Sequence, residues 1–500
     1  MPATAQTSAT TALFMLAALS SAADPAPKTG PARLSPAAET ALREAVAALD
    51  EAGGDTLTRT RLWCEIATFR RIRGDRDGAV AALAKARDVA ESGRRPPIDE
   101  WRDIGPQYAR LGDAKAVLDL AERVPTQRDD YRGNPRELVL QEAARAAADA
   151  GHIKPAEQIA EALPDTPTRK FLRDAIGRQA LIHRAANGDA AGAIRDATRL
   201  PNAADTVLAL VGQVFLNLAY DDVGSTDGIA HAQLAAGDRE GAAKTAGSAL
   251  ALLAEVDAAR RAVAALAVVR MLARLDDLPA ARKALAQMPP ADPKADPRAA
   301  GLRRTAELIA KGFLAAAEVR AGRDDAAVAL AGDFTRPGEQ AYVLHFVALA
   351  QARAGRKEAS AANFAKSIDL VTRAPASDRT GTSLHNIASA QAAAGDFAGA
   401  AKTAALNPSG ALAWANLASY QASAGDFAGA LKAAEDHLAD NSFWSSQVMR
   451  AVAEAQARAG REAAAREGIG KLTDPLVRAH ALFGLARGLA PDPGKGPVKR

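Results

Sequence analysis

Seven histidines and one cysteine are the residues best suited to proton transfer, metal binding or nucleophilic attack. Their spacing speaks against all three. His152, His183, His231, His345, His385, His437 and His480 are dispersed along 500 residues. His345 and His385 could be paired as metal ligands, but no third ligand is apparent beside them. Cys64 adjoins Trp63 in an apolar helical stretch and reads as a buried, inert thiol. A single cysteine can form no internal disulfide. There is no phosphate loop: Gly468-Ile469-Gly470-Lys471-Leu472 lacks both the spacing and the hydroxyl. H-E-x-x-H and G-x-S-x-G are also absent. The many acids fall mostly at turns and helix surfaces, where they cap helices. These observations imply no catalytic residue, no cofactor and no metal, and hence a chain that is not an enzyme.

A second set of polar residues recurs in phase. His345, His385 and Arg450 each follow a large apolar residue, namely Leu344, Leu384 and Met449. Asn386 and Asn416 take the next position, with Ser389, Ser419 and Glu454 one turn further on. Asn and Arg can hold a peptide backbone or a carboxylate, although Asn can equally bond within its own helix. Gln351, Gln391, Gln421 and Gln456 each stand four residues before a turn glycine. They form either a polar ladder or a packing device, and their repeat phase favours packing.

The elements that must position these groups are helices. Hydrophobic residues make up 48% of the chain but aromatics only 4%. The core is therefore built from Ala, Leu, Val and Ile, with alanine supplying helix propensity. One pattern recurs: a helix ends in small residues, then Gly, then Asp or Arg, then a second Ala-rich amphipathic stretch. Ile387–Ala404 and Leu417–Ala434 are its clearest copies. Gly395 or Gly425 suits the left-handed position that closes a helix. Asp396 or Asp426 suits the N-cap of the next. Arg323, Arg356 and Arg461 replace that Asp and lose the cap, which Asp324, Glu358 or Glu462 could offset. Asp276-Asp277 takes one turn without glycine. The punctuating glycines from 74 to 460 give about 39 residues per repeat. The interval from Gly188 to Gly237 is 49. Trp414, Leu417 and Ala418 share one helical face, and stacked pairs of this kind share a continuous core.

The segment Ala411–Asn441 resembles a tetratricopeptide repeat through Trp414, Leu417, Ala418, Gly425, Asp426, Phe427 and Ala430. The preceding copy matches through Leu384, Ile387, Ala388, Gly395, Asp396, Phe397 and Ala400. The resemblance covers most of residues 37–490, most strongly in the C-terminal third. It implies an all-α, right-handed superhelical solenoid of about eleven antiparallel helix pairs. It also implies that the inner face of each first helix lines a concave groove for extended peptides. His345, His385, Asn386, Ser389, Asn416, Ser419, Arg450 and Glu454 would then be the groove contacts.

Residues 1–23 resemble a signal peptide: Ala12–Leu19 is a short apolar run followed by small residues. No Lys or Arg precedes the run, so a leader on a cytoplasmic protein is the alternative to a periplasmic or secreted one. Residues 24–36 read as a Pro/Ala-rich linker, and 37–288 as N-terminal repeats. The four prolines of 289–297 mark an inter-helix loop or a boundary between halves. Residues 298–490 read as C-terminal repeats and 491–500 as a disordered basic tail. Tyr220–Gly228 is a further polar interruption. Sixty-three basic and 59 acidic residues are interleaved, so nucleic acid is not expected, and no stretch is apolar enough to span a membrane. The expectation is a protein-interaction scaffold binding a peptide or partner protein. The alternatives are an envelope assembly protein or the helical arm of a cell-wall enzyme.

Overall fold

The turn chemistry written in the sequence is realised atom by atom. Gly395 has φ +82°. Its N–H donates to Ala392 O at 3.0 Å, and the Asp396 N–H donates to Gln391 O at 2.9 Å. This is a Schellman closure, and it uses the carbonyls that a helix end leaves free. Asp396 Oδ1 then accepts the Gly399 N–H at 2.9 Å, which caps the following helix. Asp75, Asp113, Asp189, Asp238 and Asp426 repeat that cap. At the turn without glycine, Asp276 itself takes φ +59°, and Asp277 caps the helix through Ala280 N–H. The arginine turns carry no side-chain cap. Arg356 instead reaches Asp324 and Val319 O of the preceding repeat.

The computed structural model describes residues 34–93, 97–127, 133–217, 222–290, 296–375, 384–407 and 410–491. The candidate signal peptide lies outside them, as does almost all of the linker and the tail. The chain forms two compact units. One holds residues 24–180 and 414–500, so it includes both ends of the helical array.

That unit begins with α1 (Pro36–Glu51), whose N-cap is Ser35. Helix pairs follow: α2 (Thr56–Ile72) with α3 (Arg76–Glu91), α4 (Ile98–Arg110) with α5 (Ala114–Glu122), and α6 (Pro135–Asp149) with α7 (Ile153–Glu161). Helix α8 (Pro167–Ala186) leads into the other unit through α9 (Ala190–Ala197). There the pairs are α10 (Ala203–Val211) plus α11 (Ile229–Ala235) with α12 (Arg239–Leu252), α13 (Ala258–Arg274) with α14 (Leu278–Ala286), and α15 (Pro297–Arg320) with α16 (Asp324–Gly332). Next come α17 (Pro337–Arg353) with α18 (Lys357–Arg373), and α19 (Leu384–Ala393) with α20 (Phe397–Ala405). The first unit resumes with α21 (Ala411–Ser423), α22 (Phe427–Leu438), α23 (Ser442–Arg458), α24 (Glu462–Gly470) and α25 (Pro475–Leu489).

Counted in chain order among the described residues, eleven contiguous pairs run from α2–α3 to α23–α24. The fold is thus a helical repeat array. Three features refine this picture. Of the two readings of the Pro-rich stretch, the inter-helix loop fits, since α14 and α15 on either side of it belong to the unit spanning 181–413. The all-α class holds, and one small hairpin adds to it: β1 (Gln213–Asn217) and β2 (Asp222–Thr226) pair antiparallel, with Phe215 opposite Gly224. And helix α1 has its own partner, α25, from the opposite end of the array.

Candidate functional site

The helices of the pairs carry charged and amide side chains that could meet a partner. These groups are largely spoken for by one another. Arg61 on α2 binds Asp103 on α4 at 2.9 Å, and Arg102 binds Glu142 on α6 at 2.6 Å. In the other unit Arg282 binds the fully buried Glu318 at 2.7 Å, and Arg304 binds Glu339 at 2.7 Å. The partners stand 35 to 42 residues apart, close to one repeat. Interleaved charge in the sequence is therefore in part inter-repeat pairing and not only solvated surface. The Arg102–Glu142 and Arg304–Glu339 contacts use both carboxylate oxygens, and bidentate pairs of this kind fix the spacing between neighbours.

The glutamine ladder is a clamp. Gln391 Nε2 points at Asp396 Oδ2 at 3.4 Å, while its Oε1 accepts from Thr403 on α20 at 2.6 Å. Gln233 repeats the arrangement with Asp238 and Thr245. Gln351, only 1% exposed, joins Asp324 at 2.7 Å and Asn363 at 2.9 Å. Each side chain ties a first helix to its second.

The eight candidate groove contacts divide between the two units. His345 is 8% exposed, its ring against Tyr342 at 5.1 Å and Phe346 at 4.6 Å. Burial holds its pKa down at about 4. It is a core residue and presents no open ring, which corrects the groove assignment. His385 on α19 is also held at about 4, by burial against the opposing hydrogen bond from Asn386. Asn386 and Ser389 lie half-buried on the same helix. In the unit with both ends, Asn416 and Ser419 are half-buried on α21. Ser419 Oγ donates to Ala415 O of its own helix at 2.8 Å. Arg450, its side chain 11% exposed, is bound by Glu65. Glu454 is engaged by Arg458 and Arg487. Arg450 and Glu454 are therefore internal ties, again a correction. Among the described residues no group of three or more His, Cys, Asp or Glu could hold a metal ion. Burial raises the Cys64 thiol well above its ordinary value, with Asp103 and Glu65 adding to the effect; that suits an inert thiol.

Two features escaped sequence reasoning. The first is the hairpin. Residues 212–228 are an insertion within a first helix. Val211 ends α10, and Gly228 opens α11 so close by that a Cβ on Gly228 would lie 2.1 Å from Gly212 N. Removing 17 residues from the 49-residue interval leaves 32, an ordinary repeat. Strand β1 packs on α13 and α15, both first helices. At its base Asp227 faces His231 at 3.8 Å and Arg270 at 3.7 Å. Burial keeps His231 neutral, at about 4, and its Nδ1 accepts the Gly228 N–H at 3.3 Å. The signal was present as an overlong interval, but it gave no hint of strands.

The second is a composite pair. Helix α25 has the cap and phase of a first helix, with Asp474 as N-cap. Its second helix is α1. Ser35 caps α1 through Ala38 N–H at 3.1 Å and also donates to Leu489 O at 3.2 Å. The turn made covalently elsewhere is here made by a hydroxyl. Arg466 on α24 binds Glu44 on α1 at 2.8 Å, and Arg478 on α25 binds Glu51 at 2.7 Å. Between these pairs lies a cleft of about 340 Å³ floored by Ala47, Ala48, Ile469 and Leu482.

No protein-family model matches the chain. No curated protein matches it either. Among solved structures, a monomeric IFIT1 mutant with Gppp-AAAA is 12% identical, covering 90% of this chain and 96% of that one, at a TM-score of 0.27. A circular tandem repeat protein with novel repeat topology and enhanced subunit contact surfaces is 14% identical, covering 90% and 86%, at 0.15. Superposition this loose carries no argument about fold or function, and the helical repeat assignment rests on the chain's own geometry.

Proposed function

We propose that this chain is a non-catalytic interaction scaffold that binds a peptide or partner protein through the faces of its first helices. The observation that supports the reading is the hairpin. Insertions in repeat arrays gather on one face, often the binding face. Here the insertion splits a first helix and lies against two others, α13 and α15. Half-buried Asn386, Ser389, Asn416 and Ser419 add hydrogen-bonding groups to first helices. The inter-repeat pairing of arginines with acids fits a protein partner better than a phosphate backbone, which needs unpaired cations. The apolar run Ala12–Leu19 with its small-residue sequel supports action outside the cytoplasm.

The test is affinity capture with three proteins: wild type, a variant with 212–228 excised so that Val211 joins Ile229, and Asn386→Ala/Asn416→Ala. The expected result is a partner retrieved by wild type, lost on excision and weakened by the double substitution. An identical partner set for all three would sink the proposal. Cell fractionation checks location: the expected chain is processed and found outside the cytoplasm, and an unprocessed cytoplasmic chain would refute export.

A further inference from the structure

The composite pair differs from every contiguous pair in one respect: no peptide bond joins its two helices. Its apolar seam is well made. Leu42, Ala45 and Leu49 of α1 and Phe483 and Leu485 of α25 are fully or almost fully buried. Phe69 of α2 meets Phe483 edge-on at 5.6 Å. Helix α25 is pressed onto α23 so closely that a Cβ on Gly484 would lie 2.2 Å from Arg450 O. This close approach lets Arg450 reach past α25 to Glu65 on α2.

Beside this seam, toward α2 and α23, α25 buries His480, only 2% exposed. Neither ring nitrogen has a hydrogen-bond partner among the described residues. The charged groups facing it are Glu65 from α2, Arg450 from α23, and Asp474 from its own helix. Arg487, also on α25, bears on Glu65 and pairs with Glu454 of α23. On α1, Glu44 and Glu51 are taken by Arg466 and Arg478. A buried imidazole with no partner can stay only while it is neutral.

We propose that the α1–α25 pair is a noncovalent clasp that acid opens, with His480 as the group whose protonation releases the seam between α1–α2 and α23–α25.

The sign follows from the environment of the ring. Burial, together with Arg450 and against Glu65 and Asp474, holds His480 at about 4 in the closed seam, against 6.5 when free. The opened form therefore binds the proton more tightly. The seam keeps its full stability above pH 6.5 and loses it as pH falls toward 4. Between pH 7 and pH 5 the opening constant rises about twentyfold on this ring alone. Burial opposes ionisation of Glu65, but Arg450, His480 and Arg487 outweigh it and hold the carboxyl below its ordinary 4.5. It reinforces opening only at lower pH, so the window from 5 to 6.5 belongs to His480.

Hydrogen exchange of the full-length chain, corrected for intrinsic rates, tests this at pH 7 and pH 5. In wild type, opening of α1, α2 and α25 is expected to rise about twentyfold. In His480→Gln that ratio is expected to collapse toward one in these helices. Should His480→Gln fail to fold, Arg466→Ala/Arg478→Ala serves instead. It loosens α1 without touching the ring, so opening should rise equally at both pH values with the ratio intact. The proposal is overturned by an unchanged ratio in His480→Gln, or by a wild-type seam indifferent to pH. It is also overturned by a ratio that the arginine variant alters, or by opening that depends on protein concentration, which would mean exchange of α1 with a second copy.

Discussion

At the residue scale the repeat is held by a small set of polar side chains that each do two jobs. Gln391 is the clearest case: its carbonyl closes the Schellman turn, and its amide joins Asp396 and Thr403. A net hydrogen bond contributes about 1 kcal/mol, and stranding a buried partner costs more than removing both. Gln391→Ala should therefore destabilise its unit by about 1–3 kcal/mol. Thr403→Val combined with it should cost less than the two singles summed. Urea melts of the four proteins measure the coupling, and strict additivity would show that the contact carries none. The phase of these glutamines was legible in the sequence, and so was their packing role. Their partners on the second helix were not, because a Gln twelve residues before a Thr has no local signature. The candidate site was legible as positions but not as states. Arg450 looked available because its partner Glu65 stands 385 residues away, and His345 looked available because its phase says nothing about how Tyr342 and Phe346 enclose it.

At the scale of elements, turn and cap chemistry located the turns within helix pairs, since Gly and Asp act on their immediate neighbours; the boundaries between pairs carry no such recurring signature. The hairpin could not be read this way. Its strands are five residues each, and what makes them an insertion is the near-contact of Gly212 and Gly228, which reconnects a helix across 17 residues. The approach of α23 and α25 is likewise a property of two elements together. Gly484 meets the backbone of Arg450, and Gly488 would place a Cβ 2.4 Å from Glu454 O. Gly484→Ala should destabilise that unit by about 1–3 kcal/mol, as overpacking does. Gly301→Ala on α15, where a Cβ meets nothing within 4 Å, should stabilise by about 0.5–1 kcal/mol. Thermal melts that rank the two variants the other way would refute the close-approach account.

At the scale of the whole molecule, the division into units cuts across chain order. Residues 34–180 and 414–491 form one core although nearly half the chain lies between them. Sequence reading missed this because α1 alone looks like an ordinary first element, and α25 like an ordinary last one. Only the leftover halves, a second helix without a first and a first without a second, could have signalled the match. Deleting residues 34–51 removes the fully buried Leu42 and Leu49. At about 2 kcal/mol per buried leucine, the loss should exceed roughly 4 kcal/mol in that unit. Calorimetry should then resolve an early transition for it, with the unit at 181–413 melting as before. A peptide of residues 34–52 added in trans should restore the lost transition, and failure of both effects would show that α1 is dispensable.

The join between α1 and α25 also sets an order of events at the ribosome. Helix α1 is made before its mate, which follows more than 400 residues later. At 5–20 residues per second, roughly 20–90 s pass while the leucine face of α1 has no α25 to cover it. The pairing must then wait until α25 has been made, however quickly the contiguous repeats assemble. A nascent-chain chaperone, or passage of α1 through a translocon ahead of the rest, would shield that face during the interval.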